Sequence, residues 1–169
     1  MQQSASEKEA LVKALVNIDK ISEAAWAESL NDRKRKELEF HDMHRDRSRV
    51  ESLDQDTYEK FYANKKYYTA VEKSKNYVNT WIDTHAKDKV VLDYACGNGF
   101  NAIRAAKAGA KLAIGIDISP QSVKNARDDA KAAGVEENTF FVQADAENTK
   151  LPDNSIDTVI CSGMLHHLD

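Results

Sequence analysis

Apolar residues recur at helical spacing in the first part of the chain and at strand spacing in the last. Leu11, Leu15, Ile18, Ala25 and Trp26 stand among polar residues, which predicts one or two amphipathic helices over residues 5–30. Residues 31–49, NDRKRKELEFHDMHRDRSR, mix both signs of charge and predict a solvated helix laced with i,i+4 pairs, or a flexible connection. Residues 57–70 concentrate aromatics. After them Val71, Ser74, Val78, Trp81, Ile82 and His85 share one helical face.

The rhythm changes at residue 89. KVVLDYA reads as a short buried strand, and the alanine-rich NAIRAAKAG as a helix stopped at Gly109. KLAIGID is a second strand. Ser119 then supplies a helix cap and Pro120 the first helical position, and Val123, Ala126, Ala130 and Ala133 line one face up to Gly134. TFFVQAD is a third strand, ENTKLPDNS a loop, SIDTVICSG a fourth strand, and MLHHLD the start of another helix. Strands alternating with helices in this way call for an α/β fold, a Rossmann-like parallel sheet with right-handed crossovers and flanking helices. The expected division is an N-terminal helical, charged segment over residues 1–56 and a sheet domain over 57–169.

Composition narrows the function classes. With 169 residues, 41% of them hydrophobic and a formal net charge of -4, the chain suits one domain and is a poor default for a phosphate-backbone binder. Nucleic acid is therefore not an expected partner. No apolar stretch approaches the roughly 20 residues that span a bilayer, so no membrane association is expected. The first ten residues do not have the basic-then-apolar layout of a secretory signal. The two cysteines, Cys96 and Cys161, form no CxxC pair, so no metal site is expected and the setting is read as reducing and cytoplasmic.

The chemistry concentrates at strand ends. In an open parallel sheet, ligands sit beyond the carboxyl ends of the strands, where strand order reverses. The first strand leads through Asp93 into Gly97-Asn98-Gly99, where the backbone can bend sharply and approach a ligand. Gly97-x-Gly99-x-x-Ala102 fits the loose dinucleotide pattern, though two such glycines serve a bare turn as readily. Asp117 ends the second strand, where a carboxylate can accept both ribose hydroxyls, or merely cap the next helix. Asp145 ends the third. Asp93 would repel a pyrophosphate and would suit a cationic ligand.

These residues resemble the class I S-adenosylmethionine-dependent methyltransferases over residues 89–169. VLDYACGNGF is similar to the family's first motif, in which a glycine commonly sits in place of Tyr94 or Ala95. GIDIS resembles the second motif, and QADAENTKLPDNSIDTVICSGMLHHL the third and fourth motifs of the small-molecule enzymes. The resemblance implies S-adenosylmethionine as cofactor and a binding set of Asp93, Ala95, Gly97, Gly99, Asp117, Ile118, Asp145, Ala146 and Cys161. In it, Asp117 holds the ribose hydroxyls and Ile118 packs on adenine. Asp145 and the Ala146 N–H meet the adenine edge, and Asp93 with the glycine loop positions the methionine end. It further implies a small-molecule methyl acceptor. A sulfonium already makes the methyl group electrophilic, so no nucleophile–base–acid constellation is needed.

Other residues have plainer readings beside sharper ones. His166 and His167 could take a proton from the acceptor, or start a helix packed on the sheet. His41 and His44 have HxxH spacing on what reads as an exposed helix. Cys96 and Cys161 read as small apolar fillers. Phe61, Tyr62, Tyr67 and Tyr68 could form a lid or pack on the sheet edge. The family has seven strands and this chain sequence for four, so it is expected to be a fragment of a longer methyltransferase, or to have its fourth-strand edge covered by another chain or copy. The alternatives are an NAD(P)-dependent oxidoreductase, and a noncatalytic binding or assembly module that keeps the fold.

Overall fold

The computed structural model describes residues 5–61 and 72–165. Its elements run α1 (Ala5–Asp19), α2 (Glu23–Ser29), α3 (Asp32–Arg45), α4 (Arg47–Glu51), α5 (Gln55–Phe61), α6 (Glu72–His85), β1 (Val90–Tyr94), α7 (Phe100–Lys107), β2 (Leu112–Asp117), α8 (Pro120–Ala132), β3 (Thr139–Gln143) and β4 (Thr158–Cys161). Among the described residues no helix is long and apolar enough to cross a membrane.

The four strands form one parallel sheet in the order β3-β2-β1-β4. The chain therefore builds outward from β1 through β2 to β3, then returns to pair β4 on the other side of β1. That reversal places a switch point, and hence a natural ligand crevice, at the carboxyl ends of β1 and its neighbours.

The period-2 alternation of the strands sorts the core into two layers. Val91, Ala113 and Phe141 face the layer filled by Ala102, Ala105 and Ala106 of α7, Ala126 and Ala130 of α8, and Ile82 of α6. Most of these side chains are methyl groups, so the helices can approach the sheet closely. Val90, Leu92, Ile114, Ile116 and Val142 face the opposite layer, against Leu11, Leu15 and Ile18 of α1 and Trp26 of α2. The apolar stripe of the N-terminal helices thus covers the second face of the sheet, and Leu11 and Leu15 are fully buried there.

Helix ends follow the local chemistry. Ser119 caps α8 by accepting from the Ser122 N–H at 3.0 Å, with Pro120 in the first turn. The face expected on α6 is only half realised. Ile82 is buried and Val78 and Trp81 are partly so, while Ser74 and His85 are exposed and Val71 lies outside the described residues. The His85 ring stacks on Trp81 instead, with centroids 4.7 Å apart.

The charged segment departs most from its expectation. It is helical, as α3, but its main ion pairs are long-range rather than i,i+4. Lys34 bonds Asp145 at 2.6 Å, and Arg33 bonds Glu147 at 2.6 Å. The Asp42 carboxylate accepts from the Gln121 N–H at 3.1 Å and from the Ser119 hydroxyl. The Arg45 carbonyl accepts from Asn125 at 2.8 Å. Cationic side chains at the start of α3 find their partners just past β3, and the Asp42 carboxylate and the Arg45 carbonyl find theirs at the start of α8 and along it, so the helix lies across the sheet's carboxyl edge.

Candidate functional site

The strand-end residues and α3 enclose a cleft of about 810 Å³, the solvent at its mouth included. Its floor is Ala95, Gly97, Ile116, Asp117 and Ile118 from the β1 and β2 ends, with Ala144, Asp145, Ala146 and Glu147 after β3. Ser162, Gly163 and Met164 after β4 close one side, and Arg33, Lys34, Glu37, His41 and Arg45 of α3 form the roof.

The turn after β1 is built by left-handed backbone. Ala95, Gly97 and Gly99 have φ of 56°, 53° and 77°. Ala95 is one of the two positions, with Tyr94, where the resembled motif commonly carries a glycine, and a left-handed alanine costs about 1–2 kcal/mol. The turn is held by the Asp117 carboxylate, which accepts from the Gly97 N–H at 2.8 Å and the Ser119 N–H at 3.0 Å. Asp117 therefore couples the ends of β1 and β2 and still presents lone pairs to the cleft.

Asp145 accepts from Lys34 at 2.6 Å and from the Glu147 N–H at 2.9 Å. Burial works against the Lys34 ammonium, but its hydrogen bonds and charge pairing with Asp145 and Glu147 outweigh this and raise its pKa. The Lys34 side chain is only 13% exposed. The Tyr94 hydroxyl crosses the sheet edge and donates to the Ala146 carbonyl, tying the loop after β3 to β1. Tyr94→Phe is expected to cost about 1 kcal/mol, the net worth of one neutral hydrogen bond, as read by urea denaturation. A Tyr94→Phe protein as stable as wild type would deny that anchor.

Six of the nine binding residues implied by the resemblance line the cleft: Ala95, Gly97, Asp117, Ile118, Asp145 and Ala146. Asp93, Gly99 and Cys161 do not. Asp93 is 1% exposed and turned into the protein, accepting from Asn101 and the Ala102 N–H, both at 3.2 Å, at the start of α7. The expected convergence of three carboxylates is thus two at the cleft and one buried behind it. Gly99 packs toward Phe141 and Ala126. Cys161 is exposed on β4, so the filler reading holds for buried Cys96 alone. Burial raises the Cys96 thiol pKa well above its ordinary value, and burial followed by the charge of Asp93 raises that of Cys161.

His166 and His167 fall outside the described residues, as do Tyr62, Tyr67 and Tyr68 and the side chain of Phe61. The roof over the cleft is instead α3, which the alternation of charges did not reveal. His41 lies in that roof, 3.5 Å from Glu37, and His44 bonds the Phe40 carbonyl. Among the described residues no group of three His, Cys, Asp or Glu side chains is placed to hold a metal ion.

The donor set suits a nucleoside: carboxylates and backbone groups for hydroxyls and an amino edge, and Ile116, Ile118 and Met164 for a ring. Comparison with known proteins agrees. A family model described as "Methyltransferase domain" matches residues 91–169. The ribosomal protein L11 methyltransferase of Hamiltonella defensa is 48% identical over 72 residues, 42% of this chain and 24% of that protein. That of Haemophilus influenzae is 38% identical over 89 residues, 52% of this chain and 30% of that protein. This chain thus spans only 24% and 30% of the length of these two relatives. Magnesium protoporphyrin IX methyltransferase from Synechocystis PCC 6803, solved with bound S-adenosylmethionine, superposes with a TM-score of 0.62 at 26% identity, over 83% of this chain and 66% of that one. The small-molecule acceptor expected from the sequence is overturned by the sequence relatives, whose names give a ribosomal protein as what they methylate. The motif residues, the strand order β3-β2-β1-β4 and these likenesses together make residues 91–169 similar to a methyltransferase domain, on the fold of class I S-adenosylmethionine-dependent methyltransferases.

Proposed function

We propose that the cleft seats S-adenosylmethionine and that the complete protein transfers its methyl group to an acceptor on a protein. The observation that carries this reading is the grouping of Gly97, Asp117 and Asp145 around one cleft at the strand ends. In this reading Asp117 accepts the ribose hydroxyls through its free lone pairs, and Ile118 packs on the adenine. Asp145 and the Ala146 N–H meet the adenine edge. Ala95 and Gly97 bring backbone close to the amino-acid end. Residues 57–169 form the cofactor domain and residues 1–56 its cover.

The bound cofactor supplies an electrophilic methyl group on a positively charged sulfur. The chain's own work is to orient that group, exclude water, and leave room for an acceptor to approach in line. Where the acceptor must lose a proton, His166 and His167 are the proposed bases. The protein acceptor rests on the relatives named for ribosomal protein L11.

Calorimetry tests the cofactor. S-adenosylhomocysteine is expected to bind and NAD not to, which separates this reading from an oxidoreductase. Asp117→Asn keeps one oxygen for the Gly97 N–H and is expected to weaken S-adenosylhomocysteine by about tenfold to a hundredfold, for charge-assisted bonds worth about 1.5–3 kcal/mol. Binding of NAD in preference would overturn the reading. Methyl-labelled cofactor with purified ribosomal protein L11 tests the acceptor. Label in the protein supports it, and cofactor binding without label overturns the acceptor alone.

A further inference from the structure

We infer that Arg45, at the C-terminal end of α3, is the ligand for the cofactor's carboxylate, an assignment that rests on the S-adenosylmethionine reading. That cofactor carries one carboxylate, on the amino-acid end remote from the nucleoside. A carboxylate leaving water for a cleft needs a cation or several N–H donors, and a planar guanidinium meets it with two parallel bonds.

Lysine and arginine side chains line the cleft at Arg33, Lys34 and Arg45. Arg33 is committed to Glu147 at 2.6 Å, and Lys34 to Asp145 and Glu147 at 2.6 and 2.8 Å. Among the described residues Arg45 alone of the three has no carboxylate partner. Its head lies directly over the glycine turn. A Cβ at Gly97 would stand 3.2 Å from Nη2 and 3.4 Å from Cζ of Arg45, so the hydrogen of glycine keeps that space clear.

The root of the arginine is held while its head reaches Gly97. Its carbonyl accepts from Asn125 at 2.8 Å, and three residues earlier Asp42 accepts from the Gln121 N–H at 3.1 Å. A fixed backbone lowers the ordering cost of gripping a ligand. The polarity of α3 also sets the ligand's direction. Lys34 sits at the Asp145 end and Arg45 at the Gly97 end. The amino-acid end is thereby drawn to the glycine turn and the nucleoside left to the β2 and β3 ends. Arg45 lies before residue 91, outside the matched domain.

The test compares two ligands, S-adenosylhomocysteine and 5′-methylthioadenosine, which has the nucleoside and sulfur but no amino-acid end. Calorimetry on the full chain, with wild type, Arg45→Met and Arg45→Lys, reads both. Arg45→Met is expected to weaken S-adenosylhomocysteine by about tenfold or more and to leave 5′-methylthioadenosine within about twofold. Arg45→Lys keeps the charge without the planar fork and is expected to fall between. Equal changes for both ligands, or none for either, would overturn the assignment while the cofactor reading stands. Wild-type protein that binds neither ligand overturns the cofactor reading and Arg45 with it.

Discussion

Asp93→Asn is expected to gain stability over wild type as pH rises, by on the order of 3 kcal/mol between pH 4 and pH 7. Desolvation dominates at this carboxyl. Hydrogen bonds from Asn101 and the Ala102 N–H oppose it, the charge of Asp117 adds to it, and the result is a pKa pushed up to about 6 from 3.8. Between those two values the folded chain keeps a proton that the unfolded chain has lost. The Asp93 contribution to stability is therefore full below about pH 4, falls through the window from 4 to 6, and is flat above it. This is the reverse of a salt-bridged carboxylate. Asparagine is nearly the same shape and does not titrate. Its oxygen can accept from the Ala102 N–H, and the Asn101 amide can turn to accept from its NH₂. Denaturant unfolding of both proteins at pH 4, 5, 6 and 7 gives the difference directly, and other carboxylates cancel in it. A difference that does not change with pH would mean that Asp93 is not held protonated by burial.

Gly99→Ala is expected to cost about 2–5 kcal/mol, from left-handed strain of about 1–2 and overpacking of about 1–3. Gly99 has φ +77°, and a Cβ built there falls 2.7 Å from the Phe141 ring and 2.8 Å from the Ala126 Cβ. Neither neighbour can retreat easily, since Phe141 and Ala126 are both buried between the sheet and α8. Gly134 is the control. It has φ +68° with nothing within 4 Å of the added carbon, so Gly134→Ala carries the backbone strain alone. The excess of Gly99→Ala over Gly134→Ala in urea midpoints measures the overpacking. Trimming the ring in a Gly99→Ala, Phe141→Leu double variant should return part of it. Equal costs at the two glycines would refute a packing role for Gly99.

Both effects bear on what was legible. Gly99 and Asp93 stand in a motif at the exit of a strand, where the resemblance implies ligand roles. Both also dock α7: Gly99 lets the helix start close under Phe141, and Asp93 accepts the Ala102 N–H from below. A motif read along the chain cannot separate residues that face the ligand from residues that hold the motif in shape. Ala95, Gly97, Asp117, Ile118, Asp145 and Ala146 face the cleft because each lies at or just past a strand end, where the parallel register puts neighbouring ends side by side.

The order of strands and helices from residue 89 onward, the small-residue faces of α7 and α8, and the Ser119-Pro120 helix start were written in local pattern. Periodicity, capping chemistry and turn residues act over a few neighbouring positions, so they survive reading in one dimension. The roof did not. Lys34 meets Asp145 across 111 positions, and Asp42 meets Gln121 across 79. A helix rich in both charges is equally at home in water, and its partners exist only once the sheet has aligned the ends of β1, β2 and β3. Long-range electrostatic complementarity, created by the fold itself, brought α3 over the cleft and Arg45 over Gly97.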